Sequence, residues 1–294
     1  MIKLPESVLR RSDFKGSCQC LGILAMAGVT GSLAFFLWRS GHEVMALLAL
    51  LCHGNICSSF GSGIHELGHG TVFKTRWLNK IFLKVFSILH WTDGSKIWDR
   101  HKGHHTHTLL DEDPERDGNC RPTWFGTWLW ASTFHLPRFV GALLFCPGWI
   151  LVPQMALAVT FYVMGAWELI WIVNLAPFTC AMVATFCQIN QHVGMAINSA
   201  RPEYEARSVK LPWIISVVNW RMEHHLEHHL MPAVPCYHLS KVRAYVELPA
   251  PLTLVEACRE MRRHKRQGEC GFGQTPLDRI RAGDSLRSLL DLPR

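Results

Sequence analysis

The sequence predicts an all-α integral-membrane protein, and three observations lead to this fold class. Apolar residues make up 49% of the 294-residue chain, and the mean hydropathy is positive. The stretch from Cys20 to Trp38 contains no charged residue, and the stretch from Val44 to Phe60 contains only His53 and Asn55 as clearly polar residues. Neither stretch has the polar face that an amphipathic helix of a soluble protein shows.

Four membrane spans are expected, at about residues 20–38, 44–62, 139–164 and 167–189. A helix of about 20 residues crosses a hydrocarbon core of about 30 Å. From Phe139 to Ile189 the chain is almost continuously apolar, so we expect two helices there, joined by a turn near Gly165 to Glu168. Residues 1–249 would form a membrane domain with a helical cytoplasmic cap, and residues 250–294 a basic cytoplasmic tail.

Positive charge is distributed unevenly, and this sets the expected orientation in the membrane. Lys and Arg are frequent before the first span, between the second and third, and after the fourth, whereas the two outer turns contain only Arg39. Because cytoplasmic loops are rich in Lys and Arg, both termini should face the cytoplasm. The expected location is the endoplasmic reticulum of a eukaryote or the cytoplasmic membrane of a bacterium.

Four other features of the sequence agree with a membrane protein: the net charge, the first apolar run, the cysteines and a group of tryptophans. The net charge of +7 is explained by these loops and by the run RRHKR at Arg262–Arg266, so no nucleic-acid partner is needed. The first apolar run has the length of a span and lacks an A-x-A-like site, which indicates a retained anchor. Eleven scattered cysteines without a C-x-x-C motif indicate reduced thiols. Tryptophans before the third span are interpreted as an interfacial belt: Trp124, Trp128 and Trp130.

Three histidine clusters lie just outside the predicted spans, and each has the spacing of a metal-binding arm. The clusters are HELGH (His65, His69), HKGHH (His101, His104, His105) and HLEHH (His225, His228, His229). Steps of three and four residues return to nearly the same face of an α-helix. His107 is a weaker candidate because it lies outside the second arc, and His224 lies at the margin of the third. Six others are interpreted as structural histidines: His42, His53, His90, His135, His238 and His264.

The clusters resemble the histidine boxes of the integral-membrane fatty-acid desaturases and hydroxylases, which carry H-x-x-x-H, H-x-x-H-H and a late H-x-x-H-H around four spans. The segments HGTVFKTRWLN, DEDPERD and EHHLMP are also similar to that family. The resemblance implies one more ligand, His192 in QINQHVG, and two iron ions held by nine histidines. Neutral imidazole suits iron, copper, nickel or zinc, so the ligand type restricts the metal without naming it.

The resemblance also implies a reaction that uses dioxygen as co-substrate to remove hydrogen from an unactivated C–H bond of a lipophilic substrate. Desaturation of the acyl chain of a fatty acid or lipid is the first expectation. Hydroxylation or ketolation of a terpenoid, carotenoid or other lipophilic metabolite stays open. The chain has no ferredoxin-type cysteine set and no G-x-G-x-x-G motif. Electrons should therefore come from a separate cytochrome b5 or ferredoxin with its NAD(P)H reductase.

Imidazole ligands bring no negative charge, so nearby carboxylates are expected to accept hydrogen bonds from the ring N–H groups. Six acids are candidate acceptors, namely Glu66, Asp99, Asp111, Asp113, Glu223 and Glu227. His224 is expected to be spare as a ligand and to hydrogen-bond or carry protons beside the metal ions.

Two other classes of protein share part of this pattern. HELGH also matches the H-E-x-x-H motif of zinc metalloproteases. A protease would use one zinc ion, however, and would leave the second and third clusters without a role. A metal transporter would place ionisable residues near the bilayer midplane, whereas these clusters lie outside the predicted spans.

Overall fold

The computed structural model describes residues 3–116, 135–196, 198–199 and 202–267, and within these ranges the chain forms helices and no β-strand. The all-α fold class is therefore confirmed. Several predicted features lie outside the described residues: the tryptophan belt, the side chains of the run Arg262–Arg266 including His264, and the tail after residue 267.

Residues 3–116 contain six α-helices. They are α1 (Glu6–Leu9), α2 (Asp13–Arg39), α3 (Glu43–Ser58), α4 (Phe60–Gly68), α5 (Arg76–Leu89) and α6 (Gly94–His107). Two segments here, Glu6–Arg39 and Glu43–Gly68, are long and apolar enough to cross a membrane. They contain the predicted spans 20–38 and 44–62.

The two candidate spans pack closely around a buried histidine. His53 on α3 lies 2.9 Å from the Thr30 hydroxyl on α2 and 2.8 Å from the carbonyl oxygen of Ile172. A Cβ atom on Gly31 would lie 3.1 Å from the His53 ring, so a small residue is needed at this helix crossing. His53 therefore connects three segments of the chain through its ring nitrogens.

The later part of the chain contains shorter helices. They are α7 (Leu136–Phe145), α8 (Gly148–Val163), a π-helix (Ile170–Asn174), α9 (Ala176–Thr179), α10 (Met182–His192), α11 (Pro202–Glu205), α12 (Trp213–Val218), α13 (His225–Leu230), a 3₁₀-helix (Cys236–Ala244) and α14 (Leu254–Gln267).

The predicted spans 139–164 and 167–189 are not single straight helices. Helices α7 and α8 meet at an angle of 113°. Pro147 lies at this bend, where it has no N–H to donate and restricts Cys146 to an extended conformation. The segment 167–189 is likewise divided into the π-helix, α9 and α10. The described residues thus contain two candidate spans, or three if the bent pair counts as one.

A core of large side chains fixes α4 against the turn that precedes α13. The Phe86 ring on α5 stacks on Phe60 with centroids 5.2 Å apart and meets Trp220 edge-on at 5.6 Å. A Cβ atom on Gly63 would lie 2.7 Å from the Trp220 ring. Trp220 and Arg221 have φ angles of 56° and 59°, in the left-handed region, and this turn leads the chain into α13. The helices of the first and third histidine clusters are held together by this packing.

Candidate metal centre

The structure gathers the nine histidines named above into two groups. The first group contains His65, His69, His101, His105 and His228, and the second contains His104, His192, His225 and His229. Within each group, one ring nitrogen per residue lies within 4.8 Å of the others. Each group draws on three parts of the chain, so both depend on the tertiary fold.

Helices α6 and α13 each supply histidines to both groups. Helix α6 gives the pair His101 and His105 to the first group and the single His104 to the second. Helix α13 does the reverse, because His225 and His229 join the second group while His228 joins the first. In both helices the pair has i, i+4 spacing and therefore shares one face. The H-x-x-H-H motif thus divides its ligands between two sites.

The ring nitrogens that face each other have the arrangement of metal ligands. The Nε2 atoms of His65, His69 and His101 are buried and make no hydrogen bond. In the second group, His225 Nε2 lies 2.8 Å from His192 Nε2 and 3.0 Å from His229 Nε2. Buried polar atoms normally have a partner, and a cation between these lone pairs would satisfy all of them. The residues present therefore fit two transition-metal ions.

The environment favours the neutral form of three of these rings, which metal binding requires. Burial, reinforced by the neighbouring imidazoles, lowers the pKa of His105 to about 3. The same causes lower the pKa values of His101 and His228 well below the usual value for histidine. Near pH 7 these side chains therefore offer free lone pairs.

Carboxylates accept hydrogen bonds from the outer nitrogens of two histidines in the first group, His65 and His101. Glu66 is fully buried, and its Oε1 lies 3.0 Å from His65 Nδ1 and 3.6 Å from His228 Nδ1. Glu115 Oε2 lies 3.4 Å from His101 Nδ1, while its Oε1 lies 3.4 Å from Arg100 Nε. Such partners fix the orientation of a ligand ring and raise its basicity.

The second group has one carboxylate and two neutral acceptors. Asp113 is buried, and its oxygens lie 2.9 and 3.1 Å from His104 Nδ1. The backbone carbonyl of Glu205 lies 2.7 Å from His192 Nδ1, and the Thr108 hydroxyl lies 3.2 Å from His229 Nδ1. Glu115, Thr108 and the Glu205 carbonyl were not among the predicted acceptors.

Four of the six predicted carboxylate acceptors do not contact the nine rings. Asp99 is largely exposed and lies 2.8 Å from Lys102, and Asp111 is exposed and pairs with Arg116. Glu223 accepts a hydrogen bond from Ser216, and Glu227 accepts hydrogen bonds from Ser208 and Arg243. The expectation was therefore wrong for these four and holds for Glu66 and Asp113.

His224 lies outside both groups and between two acids. Its Nε2 is 3.7 Å from Glu223 Oε1, and its Nδ1 is 3.4 Å from Glu227 Oε1. His107 also lies outside, with Nδ1 3.3 Å from the Gly103 carbonyl oxygen. Neither group includes the described histidines that were interpreted as structural: His42, His53, His90, His135 and His238.

A solvent-open pocket reaches both groups. Its walls include one histidine from each: His105 from the first group and His229 from the second. The other lining residues are Thr106, Thr108, Leu110, Glu205 and Ala206.

The fold and the site define a helical protein that has at least two candidate membrane spans in its described residues and two neighbouring histidine groups, each able to hold a metal ion. Comparison with protein families matches residues 40–252 to the fatty acid desaturase family. Since the match covers most of the chain, the protein belongs to this family, and the resemblance found in the sequence is confirmed. Membership indicates a metal-dependent oxidoreductase that acts on lipids. No match to an individual curated protein was found.

Proposed function

We propose that this protein is a dioxygen-dependent diiron oxidoreductase that desaturates the acyl chain of a fatty acid or lipid. The observation that carries the proposal is the division of nine buried or half-buried histidines into groups of five and four. Five or four nitrogens leave positions free on a six-coordinate ion, as a catalytic centre requires. Reduced iron would supply the capacity to activate dioxygen and to remove hydrogen from an unactivated C–H bond.

The protein's own side chains would set the geometry and the charge of this centre. Glu66, Glu115 and Asp113 accept from ligand histidines and bring negative charge close to the two cations. His224 is proposed to hydrogen-bond or carry protons beside the centre, and the two acids that it contacts, Glu223 and Glu227, would orient its ring.

The position of Glu66 argues against a zinc metalloprotease. In a protease with the H-E-x-x-H motif, the glutamate acts as general base on a water at the zinc ion. Here Glu66 Oε1 lies 3.0 Å from Nδ1 of His65, while Nε2 of the same ring is buried without a hydrogen-bond partner. Glu66 is therefore placed to orient a ligand. A single zinc site would also leave the second group without a role.

Contacts between distant segments support four spans with both termini in the cytoplasm. The two predicted outer turns meet, since Arg39 Nη1 lies 3.1 Å from Glu168 Oε1 and the Trp38 and Trp167 rings are 5.7 Å apart. The N-terminus meets the cap, where the Ser12 N–H donates to the Tyr237 hydroxyl at 2.8 Å. In this topology the bent pair α7–α8 is the third span and the segment 167–189 is the fourth.

The electrons would come from a separate cytochrome b5 or ferredoxin with its NAD(P)H reductase. The test is expression of the full chain in a host that supplies such a donor, followed by mass spectrometry of lipids and apolar metabolites. We expect products that have lost two hydrogen atoms, absent in a matched His228→Ala strain. Products that gain oxygen would redirect the proposal to hydroxylation or ketolation of a lipophilic metabolite. Identical profiles in both strains would contradict the proposed function.

A further inference from the structure

Helix α5 exposes a row of basic residues beside a row of large apolar ones. Arg76, Lys80 and Lys84 follow each other at steps of four residues, and all three are exposed. Next to them, Trp77 is 59% exposed and Ile81 is 48% exposed. Helix α5 contains no Asp or Glu. Steps of four residues bring side chains to one face of a helix, so the basic and apolar rows run side by side.

The opposite face of α5 is already buried, so the exposed rows are not left over from an incomplete core. Phe82 stacks on Phe73 with ring centroids 5.2 Å apart, and Phe86 is fully buried. The Asn79 side chain accepts from the Phe73 N–H at 3.1 Å and donates to the Phe73 carbonyl at 3.0 Å. These contacts fix the rotation of the helix about its axis.

The residue that precedes α5 is hydrogen-bonded to the first residue of α2. Asp13 accepts hydrogen bonds from the Thr75 N–H at 2.8 Å and from the Thr75 hydroxyl at 2.7 Å. Helix α2 has 27 residues, or about 40 Å, which exceeds a hydrocarbon core of about 30 Å. Its N-terminal turns therefore extend into the headgroup layer, and the start of α5 lies beside them.

The N-terminal segment adds residues of the same kind to this surface. Arg10 and Arg11 are exposed, and Phe14 is 77% exposed. Within the described part of the chain, none of the basic residues on α5, and neither of these two arginines, forms an ion pair. A cationic surface flanked by exposed aromatic rings is typical of helices that lie on an anionic lipid surface.

We propose that α5 and the preceding N-terminal segment form a binding surface for anionic phospholipid headgroups. Arg76, Lys80 and Lys84 would contact lipid phosphates, while Trp77 and Ile81 would enter the boundary between headgroups and acyl chains. The proposal rests on the membrane orientation put forward above and is independent of the reaction. An acidic protein partner is the competing occupant, but it would not require exposed apolar residues along the basic row.

Lipid retention by the full-length protein tests the proposal. The protein is reconstituted in phosphatidylcholine that contains a minor share of phosphatidylglycerol, extracted, and analysed for bound lipid by mass spectrometry. We expect enrichment of phosphatidylglycerol in the wild type. The variant Arg76→Gln/Lys80→Gln/Lys84→Gln should lose about tenfold or more of this enrichment, because each Lys or Arg side chain near an anionic surface strengthens binding severalfold. The variant Arg76→Lys/Lys80→Arg/Lys84→Arg should keep the enrichment.

The matched control removes the same charge elsewhere, in Lys96→Gln/Lys210→Gln/Arg259→Gln, which are three exposed residues on other parts of the chain. It should retain phosphatidylglycerol as the wild type does. An equal loss in the control, or no enrichment in the wild type, would overturn the proposal.

A second measurement uses the wild type alone and does not depend on the folding of a variant. Acetylation of lysines is followed in vesicles with and without phosphatidylglycerol. Lys80 and Lys84 should be protected by the anionic lipid, and Lys96 should not. Equal reactivity of Lys80 and Lys84 in both vesicles would overturn the proposal.

Discussion

Replacement of Glu66 by Gln should weaken the binding of a metal ion to the first histidine group. Binding to the second group should be unchanged. Glu66 is fully buried, and its Oε1 faces the Nδ1 atoms of His65 and His228, both in the first histidine group. The second group is held by other acceptors, including Asp113 on His104. Glutamine keeps the size of the side chain and removes its charge, so the change acts on one group alone.

The magnitude follows from the number of ligands affected. Loss of one outer partner of a ligand histidine costs about 10- to 100-fold in metal affinity, or about 1.4 to 2.7 kcal/mol. Because Glu66 accepts a hydrogen bond from His65 Nδ1 at 3.0 Å but lies 3.6 Å from His228 Nδ1, one ligand is affected directly, and we expect a loss of about 10- to 100-fold. Asp99→Asn is the matched control, since Asp99 is exposed and paired with Lys102. This control should leave both ions in place.

The assay is iron per protein at rising chelator concentration. The Glu66→Gln variant should release one ion at a chelator concentration that is about 10- to 100-fold lower than for the wild type, and should retain the second ion. If the variant released both ions at equally lowered chelator concentrations, the assignment of Glu66 to the first group would be refuted. Unchanged release of both ions would refute its role as an acceptor.

Four further predictions concern the same site and its supports. His104→Ala should remove iron from the second group and abolish turnover, whereas His42→Ala should change neither, as measured by iron content and product formation. His225→Gln should lose metal while His224→Gln keeps both ions and part of its activity; the reverse result would show that the third cluster uses the other histidine. Purified protein given NADPH and dioxygen should form no product until a cytochrome b5 or ferredoxin system is added, and turnover without a donor would contradict a separate electron source. Gly63→Ala should lower the free energy of unfolding by about 1 to 3 kcal/mol, because the added Cβ meets a buried tryptophan ring at 2.7 Å; an unchanged melting curve would exclude this close packing.

The three histidine clusters were predictable, because the spacing of residues along one helix is a local property of the sequence. Residues three and four apart share a face in any α-helix, so the sequence alone indicated which imidazoles point together. The division of each H-x-x-H-H motif between two groups was not predictable, since it depends on how α6 and α13 lie relative to each other. His192 was reached only through resemblance to the family, because no second histidine on α10 marks it.

The groups that accept hydrogen bonds from the ligand histidines were predicted less well, because a carboxylate close to a histidine in sequence need not point toward its ring. Asp99 is two residues before His101, which places it about 200° around the helix from that ligand. Glu115 lies fourteen residues after His101 and reaches it through the turn that follows α6. A backbone carbonyl such as that of Glu205 leaves no signal in the sequence.

The third and fourth predicted spans are broken helices, and prolines in the sequence partly indicate where they break. Hydropathy measures whether a segment is apolar enough to cross a membrane, and the first two spans were found in this way. It does not register where a helix breaks. Pro147 and Pro177 mark positions near the breaks, because proline cannot donate the backbone hydrogen bond that continues a helix.

Metal content of the purified full-length protein tests the central claim most directly. We predict two iron ions per chain, measured by elemental analysis of protein expressed with an iron supply, with both ions lost when His65, His104 and His228 are replaced together by alanine. One zinc ion per chain, retained when His104 is replaced, would contradict the diiron assignment and favour the protease interpretation of HELGH.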